Sequence, residues 1–273
     1  MTTDHRSRPR TGVAGIGVVA LLGALSLIVA ACSSSSTSAP TSATSPLSGA
    51  ITVSAASSLS KVFTSLAASF EAVHQGTSVR FNFGSSGALA TQIVEGAPSD
   101  VFAAAAPAPM AIVQAAGSVA GPSVTFARNS LEIVVKPGNP LGIHGLADLP
   151  RAHVVALCVP TAPCGATAAE ALTRARINLT PGAVTRAPDV DAALAQVTSG
   201  DADAAVVYVT NAATVGTAGV GVPIATSQNV TTSYPIAVLR TTSDPKLARA
   251  WMAFVLGPVG ATALLRAHFL SPR

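Results

Sequence analysis

The sequence is poor in charged residues. Only 10% of its 273 residues are Asp, Glu, Lys or Arg, which indicates a surface with few ion pairs. Beyond the first 31 residues it has no apolar run long enough to span a bilayer. Removing that segment lowers the totals of 16 basic and 12 acidic side chains to 13 and 11. A net charge near +2 on this length gives no support for nucleic-acid binding.

The sequence also lacks the spacing of common catalytic and metal sites. Ser86 lies in Gly-Ser-Ser-Gly and not in the Gly-x-Ser-x-Gly turn of hydrolases. The histidines beyond residue 31 stand in no motif that links them to a serine, and they show no metal-ligand spacing: His74, His144, His153 and His268. We therefore expect no enzyme activity, no cofactor and no directly bound metal cation.

An export signal is present at the N-terminus. Residues 1–12 carry three arginines, an uncharged apolar run follows from Val13 to Ala31, and small residues precede Cys32. This order predicts a signal peptide over residues 1–31. A cysteine directly after the cleavage site predicts lipidation at Cys32. The alternative is a simple transmembrane anchor, since an apolar run of this length could just span a bilayer.

The segment after the predicted cleavage site favours a tether. Residues 33–48 are almost wholly Ser, Thr, Ala and Pro, a composition that buries too little apolar surface to order itself. We interpret residues 32–48 as a lipidated cysteine and a flexible linker. In an exported chain Cys158 and Cys164, six residues apart, can close a small disulfide loop, with two free thiols as the alternative.

From Gly49 onward, apolar periodicity alternates between strand and helix. Strands are predicted at 51–56, 78–83, 100–105, 131–135, 154–159, 204–208 and 234–239. Helices are predicted at 59–70, 87–95, 166–177, 189–199, 246–256 and 259–268. The alternation predicts an α/β fold of two lobes, each a mainly parallel sheet flanked by helices. Two extended crossings join lobe 1 (residues 49–131 and 234–273) to lobe 2 (residues 132–233).

Several predicted helices begin at corners suited to an anion. Ser57-Ser58 and Ser85-Ser86 each follow a strand and open a helix, where backbone N–H groups lack partners and the helix dipole is positive. Corners on parallel strands meet at one edge of a sheet, where α/β folds bind ligands. Plain N-capping by serine is the alternative for each corner.

Three stretches, residues 51–59, 83–93 and 95–102, resemble the molybdate-binding proteins of ABC importers. The resemblance implies a type II periplasmic-binding fold, with molybdate and usually tungstate held between the lobes. It further implies that the hydroxyls of three residues and the backbone amides of two bind the anion: Ser58, Ser86 and Tyr208, then Cys164 and Val190.

The resemblance also implies partners. We expect a monomer that is lipid-anchored at the outer face of the cytoplasmic membrane and works with an ABC permease and its ATPase. A disulfide between Cys158 and Cys164 would brace one of the binding turns. Two alternatives stay open: a receptor for sulfate or another tetrahedral oxyanion, and a surface lipoprotein without a role in transport.

Overall fold

A computed structural model describes residues 46–273. The predicted signal peptide (residues 1–31), the lipidation at Cys32 and most of the predicted tether (residues 32–48) lie outside the described residues.

The described chain forms seventeen helices and strands, in addition to short 3-10 turns. The strands are β1 (Gly49–Ala56), β2 (Thr77–Gly84), β3 (Val101–Ala103), β4 (Val124–Val135), β5 (Val155–Cys158), β6 (Val184–Ala187), β7 (Ala204–Tyr208), β8 (Val220–Pro223) and β9 (Thr231–Val238). The helices are α1 (Ser60–Val73), α2 (Ser86–Val94), α3 (Pro107–Ala115), α4 (Pro163–Ala175), α5 (Val190–Thr198), α6 (Val209–Ala212), α7 (Pro245–Leu256) and α8 (Pro258–Arg266).

The strands form two connected halves in the order β2-β1-β3-β9-β4-β7-β5-β6, with β8 paired to β4. In the first half β1 runs parallel to β2 and β3, as the predicted βαβαβ order requires. In the second half β5 runs parallel to β6 and β7. Parallel strands need a helical crossover, and the helices supply it. The architecture is the predicted two-lobed α/β fold.

The two halves are joined through β4 and β9, which run antiparallel to their neighbours. Residues 124–130 of β4 pair with β9, whereas residues 131–135 pair with β7 and β8. β9 in turn pairs with β3. One long strand thus changes partners midway and continues from one half of the molecule into the other.

The core of the first lobe forms on the predicted apolar face of α1. The residues of that face are all buried: Leu59, Val62, Phe63, Leu66, Ala67 and Phe70. Trp251 of α7 is fully buried against this face, with its ring 5.7 Å from that of Phe63 and 5.6 Å from that of Phe70, both edge-on. Aromatic pairs in this geometry stabilise a core beyond the effect of their buried area. This packing fixes α1, and therefore the serine corner at its start.

Within residues 46–273 no single helix is long and apolar enough to cross a membrane, and α7 and α8 satisfy that test only as a pair bent by 54°. In the same part of the chain, no three His, Cys, Asp or Glu side chains are grouped so as to hold a metal ion.

Candidate functional site

A small cavity lies where the two lobes face each other. Its free space is about 10 Å³, enough for about one water molecule, so a larger group can enter only if the lobes separate slightly. All five residues predicted to bind an anion line it: Ser58, Ser86, Cys164, Val190 and Tyr208. Four of the five are nearly or fully buried, and Ser58 is half-buried. The structure therefore brings the whole predicted set together from both lobes.

The serine corners of the first lobe do not cap their helices. No side-chain hydrogen bond caps the 3-10 turn Ser57–Leu59, and none caps α1 or α2, although Ser85 occupies the N-cap position of α2. The first turn of a helix carries N–H groups without an intrahelical partner. Plain N-capping therefore does not account for these serines, and no side-chain cap engages the first-turn N–H groups beside them.

The two corners of the second lobe differ from each other. α4 begins after Ala162, which offers no side-chain cap, so the first-turn N–H groups beside Cys164 are also uncapped. α5 begins after Asp189, whose carboxylate accepts a hydrogen bond from the N–H of Ala192 at 3.0 Å. Asp189 is therefore an ordinary N-cap. The cap engages the N–H of Ala192, the third residue of α5. It does not engage the N–H of Val190, the first residue of that helix.

The hydroxyl of Ser86 is oriented by the backbone. Its Oγ accepts a hydrogen bond from the N–H of Ala105 at 3.0 Å, in a fully buried contact. The carbonyl of Ala105 accepts in turn from the hydroxyl of Thr232 on β9, at 2.8 Å. With its acceptor side engaged, the Ser86 hydroxyl has its own proton to donate. Ser86 is thus set up as a hydrogen-bond donor in the cavity wall.

Tyr208, the last residue of β7, carries an unpaired hydroxyl. Its side chain is 1% exposed, and its Oη makes no hydrogen bond of ordinary geometry among the described residues, although the hydroxyls of Thr167 and Tyr234 lie near it. Burial raises the pKa of Tyr208 well above its ordinary value, so the hydroxyl stays protonated. Buried polar groups are nearly always hydrogen-bonded in proteins. A protonated, unpaired donor in the wall of this cavity therefore indicates a ligand that accepts its hydrogen bond.

Two residues of the site were missed by sequence reasoning. The Oη of Tyr234 lies 3.0 Å from the Oγ of Ser58, and the Nδ2 of Asn129 donates to the same Oη at 3.3 Å. The sequence predicts Tyr234 only as the first residue of a strand and places Asn129 in no element. One signal was available, because the chain contains only two tyrosines and both lie in this site.

The predicted disulfide between Cys158 and Cys164 is present, with an S–S distance of 2.05 Å. It joins the end of β5 to the first turn of α4, across the turn that carries the Cys164 N–H. Gly165 is required beside it, because a Cβ at that position would lie 2.1 Å from the carbonyl oxygen of Val159. Bridge and glycine together hold the α4 corner against the cavity.

Breaking this bridge should weaken both the fold and the α4 corner. We expect the Cys158→Ser/Cys164→Ser double variant to lose about 2 kcal/mol of unfolding free energy, the amount set by closing so short a loop. Urea denaturation of both proteins measures this loss, and mass spectrometry after alkylation without reduction checks the bridge. Two alkylated thiols in the wild-type protein, or identical denaturation midpoints, would contradict the prediction.

A wider groove of about 660 Å³ adjoins the cavity at Ser58. At its wall Asp191 of α5 accepts a hydrogen bond from Asn211 Nδ2 at 2.6 Å, and one from Ser60 of α1 at 3.4 Å. The Ser60 bond joins the two lobes. Burial and the neighbouring Asp189 raise the pKa of Asp191 to about 6, while Ser60, Asn211 and Lys61 oppose that shift.

This shift predicts a pH dependence of stability. Because the pKa of Asp191 is higher in the folded state than its ordinary 3.8, folding is favoured by protonation. The contribution is fully present below about pH 4 and is lost as the pH rises through 6. We expect Asp191→Asn to unfold at a higher temperature than the wild type at pH 7, by a small margin because Asp191 is exposed and solvent screens its charge. The margin should vanish at pH 4, as thermal unfolding in a pH series would reveal; a constant margin would contradict this assignment.

The hydrogen-bond donors in the cavity wall are all neutral. Among the residues lining it, Asp189 alone carries a charge, and none of the described histidines is present. Hydroxyl and N–H dipoles at helix N-termini can compensate an anion without a formal positive charge. A Ser-His hydrolytic pair is therefore missing from this cavity, and Ser86 has a backbone N–H as its neighbour instead.

Comparisons with known proteins give consistent results. Residues 51–270 match a family described as bacterial extracellular solute-binding protein. The molybdate-binding protein ModA of Mycobacterium tuberculosis strain H37Rv is 38% identical over 260 residues, which cover 94% of this chain and 99% of that protein. ModA of Mycobacterium bovis matches with the same identity and coverage.

Solved structures agree on the fold. The periplasmic molybdate-binding protein of Azotobacter vinelandii superposes with a TM-score of 0.72 at 22% identity, covering 82% of this chain and 100% of that one. The sulfate-binding protein SubI of Mycobacterium tuberculosis superposes equally well, with a TM-score of 0.72 at 20% identity. The superposition covers 81% of this chain and 86% of SubI. At these identities the superpositions establish the architecture, and both oxyanion receptors share it.

Proposed function

The chain belongs to the family of bacterial extracellular solute-binding proteins, and from this premise we propose that it captures molybdate between its lobes for an ABC permease. The unpaired hydroxyl of Tyr208 is the observation that carries the proposal. It lies in one cavity with the hydroxyls of Ser58 and Ser86 and with the helix starts at Cys164 and Val190. Together these groups are the donors that a tetrahedral oxyanion needs.

A dianion in this cavity is held by dipoles. The first-turn N–H groups of α4 and α5 contribute from one lobe, and the serine corners of α1 and α2 contribute from the other. Hydrogen bonds to a charged acceptor are about twice as strong as those between neutral groups. Because each lobe fixes the positions of its own donors, the distance between the two donor sets selects the anion by size. Tungstate, which has nearly the size and charge of molybdate, should bind as well, whereas sulfate is smaller and cannot reach all donors.

Binding is coupled to lobe closure. The donors come from both lobes, so an anion that contacts both favours the closed arrangement over the open one. The closed receptor then docks on the permease, whose ATPase drives import, and no covalent step is required. We further propose that the protein acts as a monomer, anchored through a lipid on Cys32 at the outer face of the cytoplasmic membrane. Mass spectrometry of the exported protein, finding an unmodified Cys32, would reject the anchor.

Calorimetric titration of the purified protein tests the proposed function. We expect saturable binding of molybdate and tungstate at one site and much weaker binding of sulfate and phosphate. Tight binding of sulfate with no heat from molybdate would favour the sulfate-receptor alternative. No binding of any of the four anions would leave a surface lipoprotein without a role in transport, and would reject the proposal.

A further inference from the structure

The hydroxyl of Ser58 is one end of a buried chain of hydrogen bonds. Its Oγ contacts the Oη of Tyr234 at 3.0 Å, and Asn129 Nδ2 donates to that Oη at 3.3 Å and to the Oγ1 of Thr210 at 2.9 Å. Tyr234 and Asn129 are both fully buried. The chain thus runs from the cavity wall through the crossing strands β9 and β4 to α6 in the second lobe.

The orientation of Asn129 determines the direction of the protons in this chain. Its Oδ1 accepts a hydrogen bond from the N–H of Ser130 at 3.0 Å, which identifies Nδ2 as the group that faces Tyr234. Tyr234 Oη therefore accepts from Asn129. Of the two described groups within ordinary hydrogen-bond distance of Tyr234 Oη, Asn129 Nδ2 is a donor, so the Oγ of Ser58 at 3.0 Å is the one that can accept the Tyr234 proton.

Energetic cost supports this direction. Burial raises the pKa of Tyr234, so the hydroxyl keeps its proton. A buried proton without an acceptor costs about 1–3 kcal/mol. If Ser58 donated to Tyr234, the Tyr234 proton would be left without an acceptor. Donation from Tyr234 to Ser58 avoids this cost and leaves the Ser58 proton for the cavity.

We propose that Tyr234 and Asn129 are positioning residues, which engage the acceptor side of Ser58 Oγ and so direct its proton at the bound anion. This inference rests on the proposed function, since the anion is what receives the proton. The acceptor side of Ser86 Oγ is also engaged, but by a different group, the N–H of Ala105. The two serine donors are therefore set by different groups, and this difference makes the inference testable.

The test is a pair of double-mutant cycles in the full chain, with the molybdate Kd measured by calorimetry. Tyr234→Phe keeps the ring and removes only the hydroxyl. We expect it to raise the Kd about 10-fold, the loss of roughly one hydrogen bond to a charged group. In a Ser58→Ala background, Tyr234→Phe should have no further effect. In a Ser86→Ala background, the matched control, it should again raise the Kd about 10-fold.

Three results would overturn the inference: an unchanged Kd for Tyr234→Phe, an equal loss in the Ser58→Ala background, or a loss that disappears only with Ser86→Ala. Thermal unfolding without ligand identifies a variant that does not fold, and Asn129→Leu then takes its place in the same cycles. Asn129→Leu removes the donor to Tyr234 and should weaken binding only while Ser58 is present. Failure of the wild-type protein to bind molybdate is a separate outcome, which rejects the proposed function itself.

Discussion

The Gly87→Ala variant should bind molybdate about 100-fold more weakly than the wild type, or worse. Gly87 lies in the first turn of α2, where a Cβ would stand 2.4 Å from the carbonyl oxygen of Thr161 in the opposite lobe. Real Cβ atoms do not approach a backbone oxygen so closely, and a backbone atom cannot turn aside as a flexible side chain would. One methyl group therefore prevents the lobes from reaching the arrangement seen here.

The size of the loss follows from which donors are separated. With the lobes held apart, an anion bound at Ser58 and Ser86 loses the amides of Cys164 and Val190 and the hydroxyl of Tyr208. Each hydrogen bond to a charged group contributes about 1.5–3 kcal/mol. The loss of even two such bonds weakens binding about 100-fold.

Calorimetry measures the affinity, and small-angle scattering with and without molybdate measures closure. Gly121→Ala is the matched control, because a Cβ there meets no atom within 4 Å and its φ is not positive. We expect Gly121→Ala to bind and contract like the wild type, and Gly87→Ala to do neither. A Gly87→Ala protein that contracts normally on adding molybdate would show that the contact with Thr161 does not limit closure.

The sequence was sufficient for the elements with strong local patterns. The face of α1 from Leu59 to Phe70 is buried as its 3.6-residue period predicts, and β7 has the predicted limits, Ala204–Tyr208. β4 was predicted only over residues 131–135, although it begins at Val124. Its first half includes Arg128, Asn129 and Ser130, for which the apolar periodicity predicts no element. Pairing with β9 makes this segment a strand, and a contact so distant in sequence leaves no local pattern.

Short elements at the edges were missed for a related reason. β6 (Val184–Ala187) and β8 (Val220–Pro223) are four residues each, too short for an alternation to be recognised. Apolar periodicity does not predict α3 (Pro107–Ala115), which has two prolines in its first turn, where proline is favoured. None of these elements lines the cavity, so their omission left the predicted site intact.

Some residues of the candidate site could be predicted from the sequence and others could not. Residues at helix starts could be predicted, because a strand followed by serines or by Pro-Cys-Gly is a local pattern with a known consequence for N–H groups. The group behind Ser58 could not be predicted. Tyr234 lies 176 residues from Ser58 along the chain, and Asn129 lies 105 residues from Tyr234. Only the fold determines that these side chains meet.

Tyr208→Phe should change binding and stability in opposite directions. The buried Tyr208 hydroxyl makes no hydrogen bond of ordinary geometry among the described residues, and a buried unsatisfied group costs about 1–3 kcal/mol. Its removal should therefore raise the unfolding free energy of the ligand-free protein by about 1 kcal/mol, or the melting temperature by about 2–4 °C. The same change removes a donor to the anion, and should raise the molybdate Kd about 10- to 100-fold.

The opposite signs distinguish a ligand-binding hydroxyl from a packing residue. If Tyr208 served only packing, Tyr208→Phe would leave the Kd unchanged, and a general loss of fold would lower stability and affinity together. Tyr234→Phe is the internal comparison, because the Tyr234 hydroxyl is paired with Ser58 and Asn129 and its removal should lower the melting temperature. Calorimetric titration with molybdate gives the Kd of both variants, and thermal unfolding without ligand gives their melting temperatures. A Tyr208→Phe protein that melts lower and binds as the wild type does would remove Tyr208 from the site, because a free hydroxyl awaiting an anion must stabilise the complex and destabilise the protein without it.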